Sequence, residues 1–497
     1  MTKQRPLAPL MLVGTGSDVG KSVLAAGFCR IFLQDGYHPA PFKAQNMALN
    51  SYVTPEGLEL GRAQAVQAEA AGIPCHTDMN PLLLKPSSDK TSQVVLHGRP
   101  IGNKDAYQYF RTVGRGHLRQ EVCAAYDRLA ARYNPIVLEG AGSISELNLR
   151  DSDLVNMPMA QHAGARTILV ADIDRGGVFA SVYGSVMLQQ PEHRALLSGV
   201  IINKFRGDIR LFEEGRRLIE ELCGLPVLGV VPYLTDVHIE EEDSVALSKR
   251  ALQAQQGKVN IAVVLLRYFS NYTDFARLEQ DERVHRFYTN NVEELQEADI
   301  IIVPGSKSTL ADLYELRRNG VAQAIIRAHR AGKTILGICG GYQILGLEVS
   351  DPEGVEGDIV RLPGLGLLPI RTEMAGEKVT TQAQFTLLGD ETPCTGYEIH
   401  MGRTTREGEA EAQPLVRMAD GRQEGCMTSQ HCMGTYLHGI LDNAVFIERL
   451  LAPFAERIAT GAQPLDYEAF KQEQYDKLAA HLRQHVDLER IYQILGR

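Results

Sequence analysis

Short apolar runs, each long enough for one buried β-strand, recur along the chain and alternate with stretches of helical periodicity. A continuous apolar run of about 4–8 residues between turn residues is typical of a strand buried on both faces. Strands that alternate with helices pair in parallel and are covered by helices, so the pattern predicts α/β domains. The predicted strands are 10–14, 135–140, 167–174, 200–205, 226–232, 259–266, 299–306 and 334–339.

The strand pattern divides the chain into two parts. With 497 residues the chain is too long for one ordinary core. Residues 233–257 are charged and show no strand, so we expect a linker there, between a first α/β domain at 1–232 and a second at 258–446. The last quarter of the second domain, about 360–437, is rich in Thr, Gly and turn residues, which is typical of β-hairpins. Residues 447–497 are predicted to form a helical tail. Its apolar stripe is Tyr475, Leu478, Ala479, Leu482 and Val486.

Composition limits the compartment and the partners. No stretch is long enough to span a membrane, and the apolar N-terminal run leads into a glycine loop without a cleavage site, so we interpret it as a strand and expect a cytoplasmic protein. The eight cysteines include no CxxC pair, which favours reduced thiols over disulfides or zinc. A net charge of −10 argues against nucleic acid as a partner but leaves an anionic small molecule open.

A glycine-rich loop, "VGTGSDVGKS" at 13–22, follows the first predicted strand and opens a helix. Glycines such as Gly16 and Gly20 let backbone N–H groups turn toward phosphate oxygens, and the helix N-terminus adds its positive end. Lys21 is placed to reach the terminal phosphates and the Ser22 hydroxyl to bind magnesium. The strict motif has glycine where this chain has Thr15, so the loop is a variant.

Polar residues at the ends of nearby predicted strands would complete a nucleotide site. Glu139, at the end of "IVLEG", can hold magnesium beside the phosphates. Lys43 follows a short strand and could touch the γ-phosphate or the substrate, and Asn203 is suited to read the adenine edge. For Lys43 and Asn203, an ordinary polar residue at a strand end is an equal alternative.

A second site is predicted at "GICGGYQ", residues 337–343, where a strand turns sharply into a helix around Cys339. Small neighbours are needed because the backbone crowds a strained turn that exposes a nucleophile. A thiol nucleophile requires a base, and His438 in "YLHG" is the candidate. An oxyanion hole could come from the N–H groups of Gly340 and of Gly305 in the loop "PGSKST".

These motifs together carry a resemblance to known families. The motifs "GTGSDVGKS", "FKAQNM", "LEGAGS" and "INKF" resemble the dethiobiotin-synthetase-like branch of P-loop enzymes, which phosphorylate a carboxylate with ATP. The elbow, the "PGS" loop and "YLHG" resemble the class I glutamine amidotransferase domain. The run "FKAQNMALNS" resembles the cobyric acid synthase family of cobalamin biosynthesis, and the resemblance extends from the N-terminus to about residue 446.

The resemblance implies an ATP- and magnesium-dependent ligase that takes ammonia from L-glutamine and amidates a corrinoid. The implied substrate is adenosylcobyrinic acid a,c-diamide, amidated at its b, d, e and g carboxylates through acyl phosphates to give adenosylcobyric acid. In the acidic segment that follows Glu139, Asp151 or Asp153 could orient ammonia or take its proton. A solvated loop is an equal alternative for these two residues. No membrane partner is expected.

One position departs from the amidotransferase pattern. Relatives with a full triad carry Glu two residues after the histidine, and this chain has Ile440 there. The cobyric and cobyrinic branch resembles this chain in lacking the glutamate. We therefore expect another group, such as a backbone carbonyl, to hold His438.

Three other functions stay open at this point. A cobyrinic acid a,c-diamide synthase has the same two modules, although the "KAQNM" run favours the cobyric enzyme. A synthetase of the CTP-forming type is similar but keeps the glutamate that Ile440 replaces. A partitioning-type P-loop ATPase with a degenerate second domain would not need both Cys339 and His438, and it predicts no glutaminase activity.

Overall fold

Two parallel sheets organise the computed structural model, which describes residues 5–86, 91–105, 109, 115–240, 254–408, 412–458 and 465–497. The predicted α/β class is confirmed, because each of the two sheets is built mainly of parallel strands that alternate with helices along the chain. The α-helices of the described residues are Lys21–Gln34, Arg62–Ala70, Arg115–Ala130, Met157–Ala163, Val178–Met187, Pro191–Arg194, Glu213–Cys223, Ala276–Gln280, Val292–Glu297, Thr309–Arg318, Val321–Arg330, Gly340–Leu345, Ala444–Leu451, Tyr467–His485 and Leu488–Ile494, and the short 3-10 helices include Leu147–Ser152 and Tyr272–Phe275.

The first sheet has six parallel strands, and the strand Leu10–Gly14 lies inside it. All five residues of that strand are buried, as expected for a strand covered by helices on both faces. Because all strands run in the same direction, Gly14 and Glu139 reach the same edge of the sheet. The strands in spatial order are Val227–Pro232, Leu197–Phe205, Arg166–Asp172, Leu10–Gly14, Ile136–Glu139 and Ala40–Phe42.

The second sheet is parallel except for its last strand. It ends beside a sheet that is antiparallel except where Glu348–Ser350 pairs in parallel with Ile370–Leu387. This sheet is built on the long hairpin of Ile370–Leu387 and Cys394–Arg406, so the hairpins expected at about 360–437 are present. The second sheet contains, in spatial order, Val284–Thr289, Val259–Val264, Ile300–Val303, Thr334–Ile338, Cys432–Thr435 and Cys426–Ser429. The antiparallel sheet adds Glu348–Ser350, Arg361–Pro363, Val416–Met418, Gln423–Glu424 and Leu437–His438.

Two small sheets in the first part of the chain were not predicted from the sequence. Most of these strands mix polar with apolar residues and so lack the apolar runs that identify the main strands, whereas Leu82–Pro86 begins with three buried leucines that the prediction missed. One sheet contains Gln45–Met47, Leu82–Pro86, Thr91–Leu96 and Arg99–Asp105, and the other is the hairpin of Ser51–Val53 and Glu59–Gly61.

The C-terminal helices pack on the first domain. The stripe predicted for the tail is buried in the same apolar core as the first sheet. Helix Tyr467–His485 lies so close to helix Lys21–Gln34 that a Cβ on Gly27 would come within 2.3 Å of Cδ1 of Leu482. The tail therefore supports the helix that follows the glycine-rich loop.

The predicted linker at 233–257 falls partly on residues 241–253, which lie outside the described residues. Its described parts, 233–240 and 254–257, form neither helix nor strand. In the part of the chain that the structure describes, no helix has both the length and the apolar character needed to cross a membrane.

Candidate active sites

The glycine-rich loop leaves the first strand and turns into helix Lys21–Gln34 at Gly20. Gly20 has a φ of +96°, a left-handed conformation that favours glycine, and a Cβ there would lie 2.1 Å from Nδ2 of Asn203. The buried side chain of Lys21 folds back over the loop, where its Nζ donates to the carbonyl oxygens of Gly16 at 2.9 Å and Gly142 at 3.0 Å. The lysine is thus held at the mouth of the loop.

Glu139 forms the polar centre beside this loop. Its Oε1 accepts hydrogen bonds from Oγ of Ser22 and Nζ of Lys43, both at 2.8 Å, and its Oε2 accepts one from Nε2 of Gln67 at 2.7 Å. Burial alone would raise the pKa of Glu139, but Lys43, Gln67 and Ser22 outweigh burial and lower the pKa. Glu139 is therefore an ionised carboxylate next to a serine hydroxyl, a pair of hard oxygen donors that suits magnesium.

A cleft of about 1010 Å³ opens in front of the loop, and Lys21, Ser22, Lys43 and Glu139 line it. Asn203 lies beside the cleft, and its Nδ2 donates to the carbonyl oxygen of Val19 at 2.8 Å. The adenine-reading role of Asn203 stays a prediction. Further charged residues, which the sequence analysis did not single out, also line the cleft, and they include Asp18, Asp172, Asp174, Arg175 and Lys204.

The positions of Asp172 and Lys204 in the sequence could have predicted that these additional charged residues line the cleft. They lie near the ends of neighbouring parallel strands, where Oδ2 of Asp172 is 3.1 Å from Nζ of Lys204. Charged residues at the ends of predicted parallel strands collect at one edge of a sheet, as Glu139 does. The runs "ADID" and "INKF" contained that signal.

The two acidic candidates after Glu139 lie in different surroundings. Asp151 is exposed in the short helix Leu147–Ser152, and it is not among the described residues that line the cleft. Asp153 lines the cleft, but its Oδ1 accepts hydrogen bonds from the backbone N–H groups of Val155 at 2.8 Å and Asn156 at 3.0 Å. The structure thus gives Asp153 a local structural role, and the role predicted for Asp151 stays a prediction.

Cys339 occupies the sharp turn between strand Thr334–Ile338 and helix Gly340–Leu345. Its φ of +52° and ψ of −110° are rare for a residue with a side chain, and such strain is typical of functional sites. The turn also needs small neighbours, because a Cβ on Gly341 would lie 1.8 Å from the carbonyl oxygen of Val303. A cysteine that only filled space would not require this backbone.

His438 lies next to Cys339 and is almost fully buried. Its Nδ1 is 2.7 Å from Oδ2 of Asp274, and Oδ1 of the same carboxylate accepts a hydrogen bond from the N–H of Gly439 at 3.1 Å. Burial would lower the pKa of His438, but the negative charges of Asp274 and Cys339 outweigh burial and raise the pKa to about 10. The arrangement favours a protonated imidazole at His438.

The group that holds His438 differs from the expectation. We expected a group such as a backbone carbonyl because position 440 is isoleucine, whereas the structure supplies the carboxylate of Asp274, 164 residues earlier in the chain. Sequence reasoning missed Asp274 because "NYTDFARL" matches no local motif. Only its position, shortly after the first strand of the second domain, could have indicated a site residue.

The two glycines predicted to form an oxyanion hole lie close to this pair. A Cβ on Gly340 would be 2.8 Å from the backbone N of Ser306, and a Cβ on Gly305 would be 3.4 Å from Cε1 of His438. The loop is fixed by Oγ of Ser306, which donates to Oδ2 of Asp312 at 2.5 Å. The structure therefore brings together the elbow, the "PGS" loop and the histidine.

The described cysteines and carboxylates form neither disulfides nor a metal cluster. All eight cysteines are free. Among the residues that the structure describes, no group of three or more His, Cys, Asp or Glu side chains could hold a metal ion. A magnesium ion at Ser22 and Glu139 would therefore need its other ligands from phosphate and water, as is usual for Mg²⁺.

Both halves of the chain match known domain families. Residues 10–246 match the CobQ/CobB/MinD/ParA nucleotide binding domain. Residues 260–446 match the CobB/CobQ-like glutamine amidotransferase domain. The first match includes the phosphate loop and Glu139. The second includes Cys339 and His438.

Three relatives that are similar to this chain over nearly its whole length are all cobyric acid synthases. Cobyric acid synthase of Bacteroides fragilis is 71% identical over 98% of both chains. Cobyric acid synthase of Phocaeicola vulgatus is 68% identical over 99% of both chains, and that of Parabacteroides distasonis is 60% identical over 98% of both.

Proposed function

The chain belongs to the cobyric acid synthase family, whose reaction is glutamine-dependent amidation in cobalamin biosynthesis, and from this premise we propose how its two sites divide that reaction. The second site makes ammonia from L-glutamine, and the first uses ATP to activate a corrinoid carboxylate. The observation that carries the proposal is that one chain holds both a phosphate loop facing Glu139 and a thiol beside the buried His438–Asp274 pair.

In the glutaminase half, the thiolate of Cys339 attacks the side-chain amide carbon of glutamine. The developing oxyanion receives hydrogen bonds from the N–H groups of Gly340 and Gly305. The imidazolium of His438 gives its proton to the leaving nitrogen, so that ammonia departs and a thioester remains. Water then attacks the thioester, His438 takes its proton, and glutamate and the thiolate are restored.

Asp274 acts as a positioning residue in this half. Its carboxylate fixes the ring orientation and the Nδ1 proton of His438, and its charge stabilises the imidazolium. This assignment explains how the site works with Ile440 at the position where amidotransferases with a full triad carry glutamate.

In the synthetase half, a carboxylate oxygen of the corrinoid attacks the γ-phosphorus of ATP and ADP leaves, which gives an acyl phosphate. Gly16, Gly20 and Lys21 would bind the phosphates, with Lys43 beside them and Asn203 toward the adenine. Ser22 and Glu139 would hold Mg²⁺, which neutralises phosphate charge when it is bound. Ammonia then attacks the acyl carbon and phosphate leaves. Asp151 is kept as the candidate acceptor of the proton released in that step.

The corrinoid would bind in the cleft at the carboxyl ends of the first sheet, where open α/β sheets bind ligands. The substrate is adenosylcobyrinic acid a,c-diamide, and the amidated positions are the b, d, e and g side chains. With one phosphate loop and one elbow in the chain, the same pair of sites would serve all four carboxylates in turn.

The proposal also includes the domain boundaries and the cellular compartment. Residues 1–232 form the synthetase domain, 233–257 the linker, 258–446 the amidotransferase domain and 447–497 the helical tail. The enzyme works in the cytoplasm on small molecules.

A stoichiometric assay tests the proposed function. With adenosylcobyrinic acid a,c-diamide, ATP, Mg²⁺ and glutamine, we expect one glutamate, one ADP and one phosphate for each amide formed, and four amides in the final product. Two additions to cobyrinic acid itself would assign the chain to the diamide synthases. Amidation of a nucleotide would assign it to the CTP-forming type, and ATP hydrolysis without glutaminase activity would support the partitioning-type P-loop ATPase.

A further inference from the structure

A residue of the first domain, Asn50, contacts the glutaminase site in the second domain. We propose that Asn50 is a positioning residue for glutamine hydrolysis. Asn50 lies in the synthetase domain, yet it holds the turn that carries Asp274. The inference rests on the proposed function of Cys339 and His438, and it links that function to a residue of the other domain.

The contact is made by the segment between Lys43 and Ser51. The segment begins at the phosphate site, where Nζ of Lys43 lies 2.8 Å from Glu139. It continues through strand Gln45–Met47, whose residues line the cleft, and reaches the hairpin strand Ser51–Val53 at the border with the second domain. Asn50 is 3% exposed and is not among the described residues that line the cleft.

Two hydrogen bonds join this segment to the turn. The backbone N–H of Tyr272 donates to Oδ1 of Asn50 at 3.1 Å, and the backbone N–H of Ser51 donates to Oδ1 of Asn271 at 3.1 Å. Asn271 has a left-handed φ of +54° and begins the short helix Tyr272–Phe275. The first N–H groups of a helix have no partner within it, so Asn50 stabilises the start of the turn at a point where side-chain acceptors matter most.

The position of this turn determines where the Asp274 carboxylate lies relative to His438. Asp274 is the third residue of Tyr272–Phe275, and its carboxylate holds both Nδ1 of His438 and the N–H of Gly439. Asp274 is itself 4% exposed, so its side chain has little room to compensate for a shift of the backbone. A displacement of the turn therefore moves the carboxylate relative to the imidazole.

Tyr397 provides a second link between the same partners. Its ring stacks on the ring of His438 with centroids 5.2 Å apart and an interplanar angle of 19°. Its hydroxyl donates to the carbonyl oxygen of Ser51 at 3.3 Å, and Nδ2 of Asn271 is 3.5 Å from the same hydroxyl. The histidine is thus constrained from two sides by groups that depend on Asn50 and Ser51.

The test compares Asn50→Ala with Gln382→Ala in the full-length enzyme. Gln382 also joins the domains, through a hydrogen bond from its Nε2 to the carbonyl oxygen of Val53, but it does not hold the Asp274 turn. For Asn50→Ala we expect the glutaminase kcat to fall by about tenfold to a hundredfold, because a small misplacement of a catalytic group has effects of this size. The KM for glutamine and the synthesis supported by ammonium salts should change by less than about twofold, and Gln382→Ala should match the wild type in all three.

A wild-type glutaminase kcat in Asn50→Ala overturns the proposal. If Asn50→Ala loses ammonium-supported synthesis to the same extent as glutaminase activity, Asn50 serves the fold of the whole chain and the proposal is overturned. Glutamine-dependent synthesis that survives in Cys339→Ser would instead overturn the proposed function, so the two failures are distinguishable.

Discussion

Nδ1 of His438 lies 2.7 Å from Oδ2 of Asp274, although the two residues are 164 positions apart in the chain. Both side chains are almost fully buried, so the pair is screened from water. Asp274 takes the place that a glutamate two residues after the histidine occupies in relatives with a full triad. The same function can therefore be supplied from another loop, because an imidazole N–H requires only a nearby carboxylate oxygen and not a particular position in the sequence.

Asp274→Asn should slow glutamine hydrolysis and change its pH dependence. We expect the glutaminase kcat/KM to fall by about 10²- to 10⁴-fold, because an amide can stabilise the wrong tautomer. The Asp274 charge raises the pKa of His438, so its removal lowers that pKa from about 10, and the alkaline limb of the kcat/KM profile should move to lower pH. Asp420→Asn, on an exposed aspartate of the same domain, is the control and should keep the wild-type profile. An unchanged alkaline limb in Asp274→Asn would contradict the assigned role.

Cys339→Ser should stop amide synthesis from glutamine but not from ammonium salts. Near neutral pH a serine hydroxyl is a far weaker nucleophile than a cysteine thiol. Glutamine-dependent synthesis should therefore fall by at least about 10³-fold. Synthesis from added ammonium salts should continue, because the phosphate site is unchanged. The measurement is amide formation with each nitrogen source by mass spectrometry. Equal loss with both sources would mean that Cys339 is structural.

Lys21→Ala should abolish synthesis from either nitrogen source. The Nζ of Lys21 is held at the mouth of the loop, where we propose that the transferring phosphoryl group binds, so we expect a loss of about 10²- to 10³-fold. Cys339 should still react with an alkylating glutamine analogue. Lys477→Ala removes a lysine whose side chain is 47% exposed and should behave like the wild type. ATP-dependent amidation that persists in Lys21→Ala would refute the role of this lysine.

Gly341→Ala should destabilise the second domain. The added methyl group would meet the carbonyl oxygen of Val303 at 1.8 Å, and the buried backbone on both sides has no room to move. We expect the free energy of unfolding to fall by about 3 kcal/mol, measured by urea denaturation. Gly357→Ala is the control, since a Cβ there has no described atom within 4 Å, and its effect should stay within about 0.5 kcal/mol. Equal stability of the two variants would show that the elbow is not sterically constrained.

The partly amidated corrinoids should appear free in solution during turnover. One cleft can serve four carboxylates only if the corrinoid leaves, turns and binds again with another side chain at the phosphate site. Mass spectrometry of a reaction with scarce enzyme should show mono-, di- and tri-amidated intermediates that rise and fall before the final product. If only substrate and fully amidated product are ever seen, the corrinoid is held throughout and the dissociative scheme is wrong.

The sequence alone determined the α/β class and the phosphate-loop and elbow motifs. Each depends on neighbouring residues: the strand Leu10–Gly14 is an apolar run, and the loop around Lys21 and the turn around Cys339 need glycines within a few positions. Conformation over such short distances is limited by backbone sterics and by local burial, so the pattern of residue types is sufficient to predict it. Strand ends were predicted to within about three residues, because hydrogen bonding to neighbouring strands decides where a strand stops.

Only the tertiary structure decided which distant residues meet. Asp274 reaches His438, Asn50 reaches Tyr272 across 222 positions, and the tail helix Tyr467–His485 covers helix Lys21–Gln34. These contacts follow from the order of strands within the sheets and from the docking of one domain on the other. A hydrogen bond needs proximity and direction but leaves no spacing in the sequence, so one carboxylate or amide among many cannot be singled out until the fold places it.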